Sequence, residues 1–239
     1  MSRKIKLINN NYYHIYNRGI DKRIVFLDKQ DYYRFVHCLY EFNDTAATIN
    51  LNYKFGHNSF SDDDILNCDL VGEKNREKLV EVLCFCFMPN HYHLLVKQLV
   101  DGGISKFMLK VGTGYVLYFN QKYKRTGRLF EGPFKCINID TDEYLLHLSR
   151  YIHLNPVEIV DTGWKDKGIS NWQEVDDFLD NYRWSSYLDY VGKKSFPSVT
   201  DRDLILEIMG GYEKYKEFVT LYTQKDIVKY RKLLLEQVN

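Results

Sequence analysis

The sequence lacks the apolar segments of a membrane or secreted protein. Its longest apolar runs are far shorter than the roughly 20 residues that a membrane-spanning helix needs. No apolar run of signal-peptide length follows the first residues. The five cysteines are an odd number and indicate no disulfide framework, which suits a reducing compartment. We therefore expect a cytoplasmic protein, with no membrane partner, that is long enough to bury one good core.

The sequence also lacks an overall excess of charge, since its formal net charge is only +1. A surface for nucleic acid must therefore be a local patch. Residues 105–136 contain seven cations and one carboxylate, with aromatic residues between them. Such a segment is typical of surfaces that hold a nucleic-acid strand, although a solvated basic loop has the same composition. The cations in its second half are Lys122, Lys124, Arg125, Arg128 and Lys135.

The centre of the chain predicts a β-hairpin. Two apolar runs, at 80–88 and 91–97, flank Pro89-Asn90, a pair typical of turns. Because side chains alternate along a strand, His91 and His93 share one face. Two imidazoles on one face can hold a divalent metal ion and leave coordination positions open. They could equally be ordinary polar residues at the start of a strand.

A structural zinc site is an alternative use of this hairpin. Cys84 and Cys86 share a face of the first strand. A two-residue turn would place Cys86 opposite His93, whereas a three-residue turn would place both cysteines on the other face. The Cys-x-Cys spacing differs from the usual spacing of zinc ligands, so small buried apolar residues are the preferred interpretation.

The remaining pattern predicts an α+β fold. A strand at 12–18 precedes a helix that Asp28 caps, and a loop-rich insertion at 43–78 separates this helix from the hairpin. A helix at 104–124, a strand at 134–139 and a helix that begins after Thr141 follow. This order is that of a ferredoxin-like βαββαβ unit with an antiparallel sheet. We expect helices on one face and the functional site on the other, in a domain spanning 1–160 with a partly helical extension at 161–239.

Several segments resemble one known family. The hairpin segment Met-Pro-Asn-His-Tyr-His-Leu-Leu-Val resembles the hallmark of one-tyrosine HUH transposases, named for His, a bulky apolar residue and His. It is closest to the REP-associated tyrosine transposase branch, although Tyr92 is larger than the usual middle residue. The basic segment 123–130, the segment Tyr-Ile-His-Leu-Asn-Pro-Val at 151–157, Asn-Arg-Gly at 17–19 and Trp-Ser-Ser-Tyr at 184–187 resemble further family segments.

The resemblance implies an activity and assigns residues to it. Tyr151 would be the nucleophile, and His91, His93 and Asn155 would hold Mg²⁺ or Mn²⁺. The substrate would be single-stranded DNA, usually beside a hairpin, and the product a 5′-phosphotyrosine link with a free 3′-OH. Arg18 and the five cations of 122–135 would bind the DNA. Relatives include monomers and homodimers.

Alternatives remain at this stage for single residues and for the function. His147 lies four residues before Tyr151 and is an alternative ligand, and Tyr115 is an alternative nucleophile that we interpret as core. His14 could lie near the site, but a packed strand histidine is preferred. A domesticated, non-cleaving binder of hairpin nucleic acid would keep the same fold and basic segment. A phosphoesterase that uses activated water would not need Tyr151, and a replication initiator or relaxase would show a second tyrosine motif or a helicase-like domain.

Overall fold

The computed structural model describes residues 6–46 and 76–222. Most of the predicted insertion at 43–78 and the end of the C-terminal extension lie outside these residues. The two ends of the insertion are described, and the backbone N–H of Thr45 donates to the carbonyl of Glu77 at 2.9 Å. This hydrogen bond holds residues 45 and 77 next to each other. Within the described ranges no helix is both long and apolar enough to cross a bilayer.

A four-stranded antiparallel sheet forms the centre of the fold, in the order β2-β3-β1-β4. This order, with the sequence βαββαβ, confirms the predicted ferredoxin-like α+β fold. The two residues Pro89 and Asn90 connect β2 to β3, as the sequence predicts. The strands are β1 (Tyr12–Arg18), β2 (Val80–Met88), β3 (His91–Gln98) and β4 (Lys135–Ile139).

Two helices cover one face of the sheet, α1 (Lys29–Glu41) and α2 (Gly103–Lys122). Asp28 caps α1 as predicted, in a reciprocal capping box with Asp31. These helices and the apolar side chains of this sheet face form the first core. Gly114 weakens α2 intrinsically, but a Cβ there would lie 2.5 Å from the ring of Phe42, so the glycine permits α2 to pack closely on the end of α1.

The opposite face, which the sequence predicts to hold the functional site, carries a second core. The helix α3 (Asp142–Leu154) lies on it, begins at the predicted cap Thr141, and continues into a 3₁₀ turn at Asn155–Ile159. Trp164 and Tyr215 of the C-terminal extension are buried here, so the extension contributes to the core. Its helices are α4 (Trp164–Lys167), α5 (Trp172–Leu179), α6 (Tyr187–Tyr190), α7 (Asp203–Met209) and α8 (Tyr212–Thr220).

The Trp-Ser-Ser-Tyr segment covers the edge of the sheet. The N–H of Phe87 donates to the carbonyl of Trp184 at 2.9 Å, and the N–H of Ser186 donates to the carbonyl of Phe85 at 3.0 Å. These bonds satisfy backbone groups that an edge strand would leave unpaired. Trp184 also stacks on Tyr32 of α1, with ring centroids 4.5 Å apart. The segment therefore joins the β2 edge to the first helix.

Candidate active site

The register of the sheet brings polar side chains of three strands together on the face that carries the second core. His93 of β3 pairs with Cys86 of β2 on one side and with Tyr16 of β1 on the other, and Tyr16 in turn pairs with Lys135 of β4. His91 pairs with Arg18 of β1. Paired residues share a face, so Tyr16, Arg18 and Lys135 lie on the sheet face of the two histidines.

Helix α3 places Tyr151 and Asn155 over the two histidines. The rings of Tyr151 and His93 lie 6.1 Å apart, edge to face. Asn155 is fully buried and lies beside His91, whose pKa it raises as a nearby acceptor. Asn155 precedes a proline, yet it keeps helical angles (φ −53°, ψ −39°), so it remains on the helical face of Tyr151. The four predicted residues therefore converge at one place.

A third histidine, which the sequence interpretation left as a packed strand residue, contacts this group. His14 of β1 is fully buried, and its Nε2 lies 3.0 Å from Nδ1 of His93. If His93 donates from Nδ1, its Nε2 carries a lone pair that points into the site. If His14 donates instead, His93 must carry its proton on Nε2 and cannot bind a metal there.

Both hairpin histidines are neutral at physiological pH. Burial lowers the pKa of His91 to about 3, and the charges of Lys165 and Arg18 act in the same direction, whereas Asn155 acts in the opposite direction. Burial also lowers the pKa of His93 well below its usual value, with smaller contributions from His91, His14 and Lys165. A neutral imidazole keeps the lone pair that a metal ligand needs.

The residues present fit a divalent metal. Nε2 of His93 is buried and has no hydrogen-bond partner among the described residues, an arrangement that a metal ion at this atom would resolve. His91 contacts Asn90 Oδ1 through Nδ1 at 2.6 Å, which leaves Nε2 as its possible ligand atom. No cluster of three His, Cys, Asp or Glu side chains suited to a metal occurs in the described part of the chain. The amide oxygen of Asn155, beside His91, is the predicted third ligand.

The two cysteines lie on the same sheet face as this group. The two-residue turn places Cys86 opposite His93, the geometry in which a zinc site was conceivable. Leu83 forms a bulge in β2, and Cys84 is buried in the second core beside it. Burial raises the pKa of both thiols, so they keep their protons, whereas zinc binds thiolates. The interpretation as small buried apolar residues is the better description.

Lys165 is a site residue that no sequence motif indicates. It lies in α4, and its ammonium is 3.3 Å from Oδ1 of Asn155 and 5.3 Å from the centre of the Tyr151 ring. Trp164, the preceding residue, is buried and packs 6.4 Å from the same ring. Tyr151 itself is only 2% exposed. The extension therefore covers the predicted nucleophile.

Four of the six predicted DNA-binding cations lie at the end of α2 and in the segment that follows it, and they differ in their contacts within the protein. Lys122 forms salt bridges of 2.8 Å with Asp28 and with the fully buried Asp31, so it holds α2 against α1. Arg125 reaches Asn120 and the carbonyl of Arg128, which orders the segment between α2 and β4. Lys124 and Arg128 are exposed in that segment.

The other two cations lie beside the histidines. Arg18 is half-buried and forms a salt bridge of 2.8 Å with Glu131. The ammonium of Lys135 lies 5.7 Å from the centre of the Tyr16 ring. A strand of nucleic acid that reaches the histidines would therefore pass both.

The two alternative residues lie elsewhere. Tyr115 is buried in the first core, on the other side of the sheet, and its hydroxyl donates to the carbonyl of Val25. His147 contacts Arg150 through Nδ1 at 2.7 Å and packs against Phe218 of α8. Neither is positioned with the two hairpin histidines.

Comparison with known proteins gives one family match. Residues 58–155 match the family model described as "Transposase IS200 like", which confirms the resemblance over about two fifths of the chain. This range contains the hairpin, the basic segment and the α3 residues. No curated protein sequence matches the chain.

Two solved structures show distant likenesses. A REP-associated tyrosine transposase bound to a REP hairpin has 14% identity and a TM-score of 0.49, over 84% of this chain and 94% of that one. A tRNA(His) guanylyltransferase from Saccharomyces cerevisiae has 10% identity and a TM-score of 0.34, over 74% of each chain. At TM-scores below 0.5, neither likeness assigns a function.

Proposed function

We propose that this chain, whose residues 58–155 are those of an IS200-like transposase, cuts and rejoins single-stranded DNA through a covalent tyrosine intermediate. The observation that carries the proposal is the convergence of Tyr151 with His91, His93 and Asn155. Two of these residues come from β3, one from α3 and one from the 3₁₀ turn that continues α3, so the fold, and not local sequence, brings them together.

The nucleophile is the hydroxyl oxygen of Tyr151. It forms a bond to the phosphorus of one phosphodiester while the bond from phosphorus to the 3′ oxygen breaks. The phenolic proton leaves Tyr151, and the departing 3′ oxygen gains a proton. The protein keeps a 5′-phosphotyrosine link. Because the link conserves the energy of the phosphodiester, a 3′-OH can attack it and rejoin the strand without ATP.

A divalent ion is the proposed cofactor, Mg²⁺ or Mn²⁺. When bound, it would neutralise charge on the scissile phosphate. His91 and His93 would hold it through Nε2, and Asn155 through its amide oxygen. We propose that His14 accepts a hydrogen bond at its Nε2 from Nδ1 of His93, which would select the tautomer of His93 that binds metal.

The substrate class follows from the family resemblance and from the charges around the site. Arg18 and Lys135 lie on the sheet face of the histidines, and Lys124 and Arg128 extend this surface along the loop before β4. We propose that these four cations contact the phosphates of single-stranded DNA beside a hairpin. Lys122 and Arg125 serve mainly to shape the same segment.

The experiment uses a labelled single-stranded hairpin DNA with Mn²⁺, followed by a denaturing gel. The wild type should form a covalent protein–DNA adduct, and Tyr151→Phe should form none. Tyr115→Phe tests the alternative tyrosine, and Tyr212→Phe, which changes a 44% exposed tyrosine, is the matched control. Loss of the adduct in Tyr115→Phe but not in Tyr151→Phe would contradict the assignment. Cleavage without an adduct in any variant would indicate an activated water.

One observation favours a second candidate, the non-cleaving binder. Tyr151 is 2% exposed and lies against Trp164 and Lys165, so a phosphate must displace part of this contact before attack. Binding of hairpin DNA without cleavage, in the wild type with Mn²⁺ and over a wide set of hairpins, would support this candidate over the transferase.

A further inference from the structure

The site contains a cation that no family motif explains. Lys165 lies in α4, outside the range of the family match, yet its ammonium is within 3.3 Å of Asn155 Oδ1. It also lies over the faces of two aromatic rings, 5.3 Å from the centre of Tyr151 and 5.9 Å from that of Trp164. The tertiary structure therefore brings a positive charge to the predicted nucleophile.

This charge has no partner of opposite sign in the described part of the chain. The contacts of Lys165 are one amide oxygen and two ring faces. Arg18, which also lies next to the histidines, is paired with Glu131 at 2.8 Å, and Lys122, Lys193 and Lys216 each have a carboxylate within 3.0 Å. A half-buried ammonium without a counter-ion is costly unless an anion completes the site.

The groups around Lys165 do not supply that anion. None of the side chains that contact Lys165 is a carboxylate: they are Asn155, Tyr151 and Trp164. A phosphodiester carries one negative charge and has oxygens that accept hydrogen bonds from an ammonium. The site is thus neutral or positive on every side and suited to an anionic substrate.

We propose that Lys165 is a further catalytic residue, which binds the scissile phosphate and stabilises the charge that develops as Tyr151 attacks it. The proposal rests on the proposed function for the identity of the substrate. The role is electrostatic, and no proton moves to or from Lys165. Oδ1 of Asn155, which Lys165 now contacts, is also the proposed metal ligand. A bound metal would therefore release the ammonium from Asn155 and leave it available to the phosphate.

The first measurement is the single-turnover rate of adduct formation at saturating Mn²⁺ and DNA. Lys165→Met should slow this rate on the order of 100-fold, the effect of removing one preorganised charged or polar group from a transition state. Lys165→Arg should retain most of the rate, because it keeps the charge. Lys167→Met removes an exposed cation from the same short helix and should leave the rate unchanged. A rate for Lys165→Met within twofold of the wild type would overturn the proposal.

The second measurement is DNA binding without chemistry, in the Tyr151→Phe background. Lys165→Met should weaken binding to single-stranded DNA and lower the dependence of log Kd on log salt by about 0.7, the contribution of one phosphate contact. Lys167→Met again serves as the control. Unchanged affinity and slope would overturn the contact between Lys165 and phosphate. This arm remains decisive if the wild type forms no adduct, an outcome that would reject the proposed function alone.

The third measurement separates a catalytic from a positioning role. If Lys165 only oriented Asn155, Lys165→Met would weaken Mn²⁺ binding measured by calorimetry. We expect equal or tighter Mn²⁺ binding, because removal of a nearby positive charge favours a cation. Weaker Mn²⁺ binding with normal adduct formation at saturating metal would overturn the catalytic role. Thermal unfolding of each variant shows whether the fold is intact.

Discussion

His14 Nε2 and His93 Nδ1 lie 3.0 Å apart in a fully buried contact between β1 and β3. The contact holds the His93 ring at Nδ1, and the opposite nitrogen, Nε2, is buried without a hydrogen-bond partner among the described residues. A histidine that holds a metal commonly donates its other N–H to such an acceptor. We therefore expect His14 to be a positioning residue for the proposed metal site.

Replacement of His14 tests this relationship. In His14→Phe, the N–H of His93 has no acceptor, so we expect Mn²⁺ affinity to fall about 10–100-fold. His14→Gln offers an amide oxygen and should retain more of the affinity. Calorimetric titration with Mn²⁺ measures both. His147→Gln, which changes a histidine away from the site, is the control. Equal affinity in His14→Phe and the wild type would show that His93 needs no acceptor.

Arg128 is exposed, whereas Lys122 forms salt bridges within the protein, so their replacement should have different effects. Arg128→Met should weaken binding of single-stranded DNA and reduce the salt dependence of log Kd by about 0.7, because it removes one phosphate contact. Lys122→Met should leave that slope unchanged. It should instead lower the free energy of unfolding by about 1–3 kcal/mol, because it leaves the buried carboxylate of Asp31 with fewer partners. Fluorescence anisotropy and chemical denaturation test the pair, and a reduced slope in Lys122→Met would contradict this difference.

A buried hydrogen-bond network links α3 to the sheet edge and to α8. His153 Nε2 lies 2.8 Å from Ser186 Oγ, which accepts from the N–H of Phe85, and His153 Nδ1 lies 2.7 Å from the Tyr215 hydroxyl. Ser186→Ala leaves buried groups unpaired, so we expect a loss of about 1–3 kcal/mol in the free energy of unfolding. Chemical denaturation measures it.

The control for this network is Thr126→Ala, which changes an exposed hydroxyl residue between α2 and β4, away from the network. It should change stability by less than about 0.5 kcal/mol. An equally small change in the free energy of unfolding for Ser186→Ala would show that this network does not stabilise the packing of α3 on the sheet.

The buried histidines predict a dependence of stability on pH. Burial lowers the pKa of His14 and of His153 to about 3, below the unfolded value of 6.5. The unfolded chain therefore binds protons that the folded chain does not. The stabilisation is complete above pH 6.5 and is lost as pH falls toward 3, by about 1.4 kcal/mol per pH unit for each histidine.

Chemical denaturation at pH 7 and pH 5 tests this dependence. The free energy of unfolding should be clearly lower at pH 5. His153→Gln, which removes one of these groups, should lose less stability between the two pH values than the wild type does. A wild type equally stable at both would show that these histidines accept protons in the folded state.

Local sequence patterns predict the strands and helices of the βαββαβ unit and the hairpin that carries the two histidines. Alternation of apolar residues around Pro89-Asn90 fixed the strands of the hairpin, and capping residues such as Asp28 and Thr141 fixed where helices begin. These signals are local, since they depend on neighbours along the chain. The motif at 151–157 further identified Tyr151 and Asn155, although only through resemblance to a family.

The residues that surround this site are brought there by tertiary packing. His14 and Lys165 reach the site from β1 and from the extension, and no spacing along the chain relates them to His93 or Tyr151. The coverage of the second sheet face had no local signal either, because Trp164 and Tyr215 become buried only when the extension packs on α3. Alternation predicts that a side chain points to one face of a strand or helix. The packing of distant segments decides which side chains meet there, which charges lack a partner and which nitrogen atom is left without a hydrogen bond.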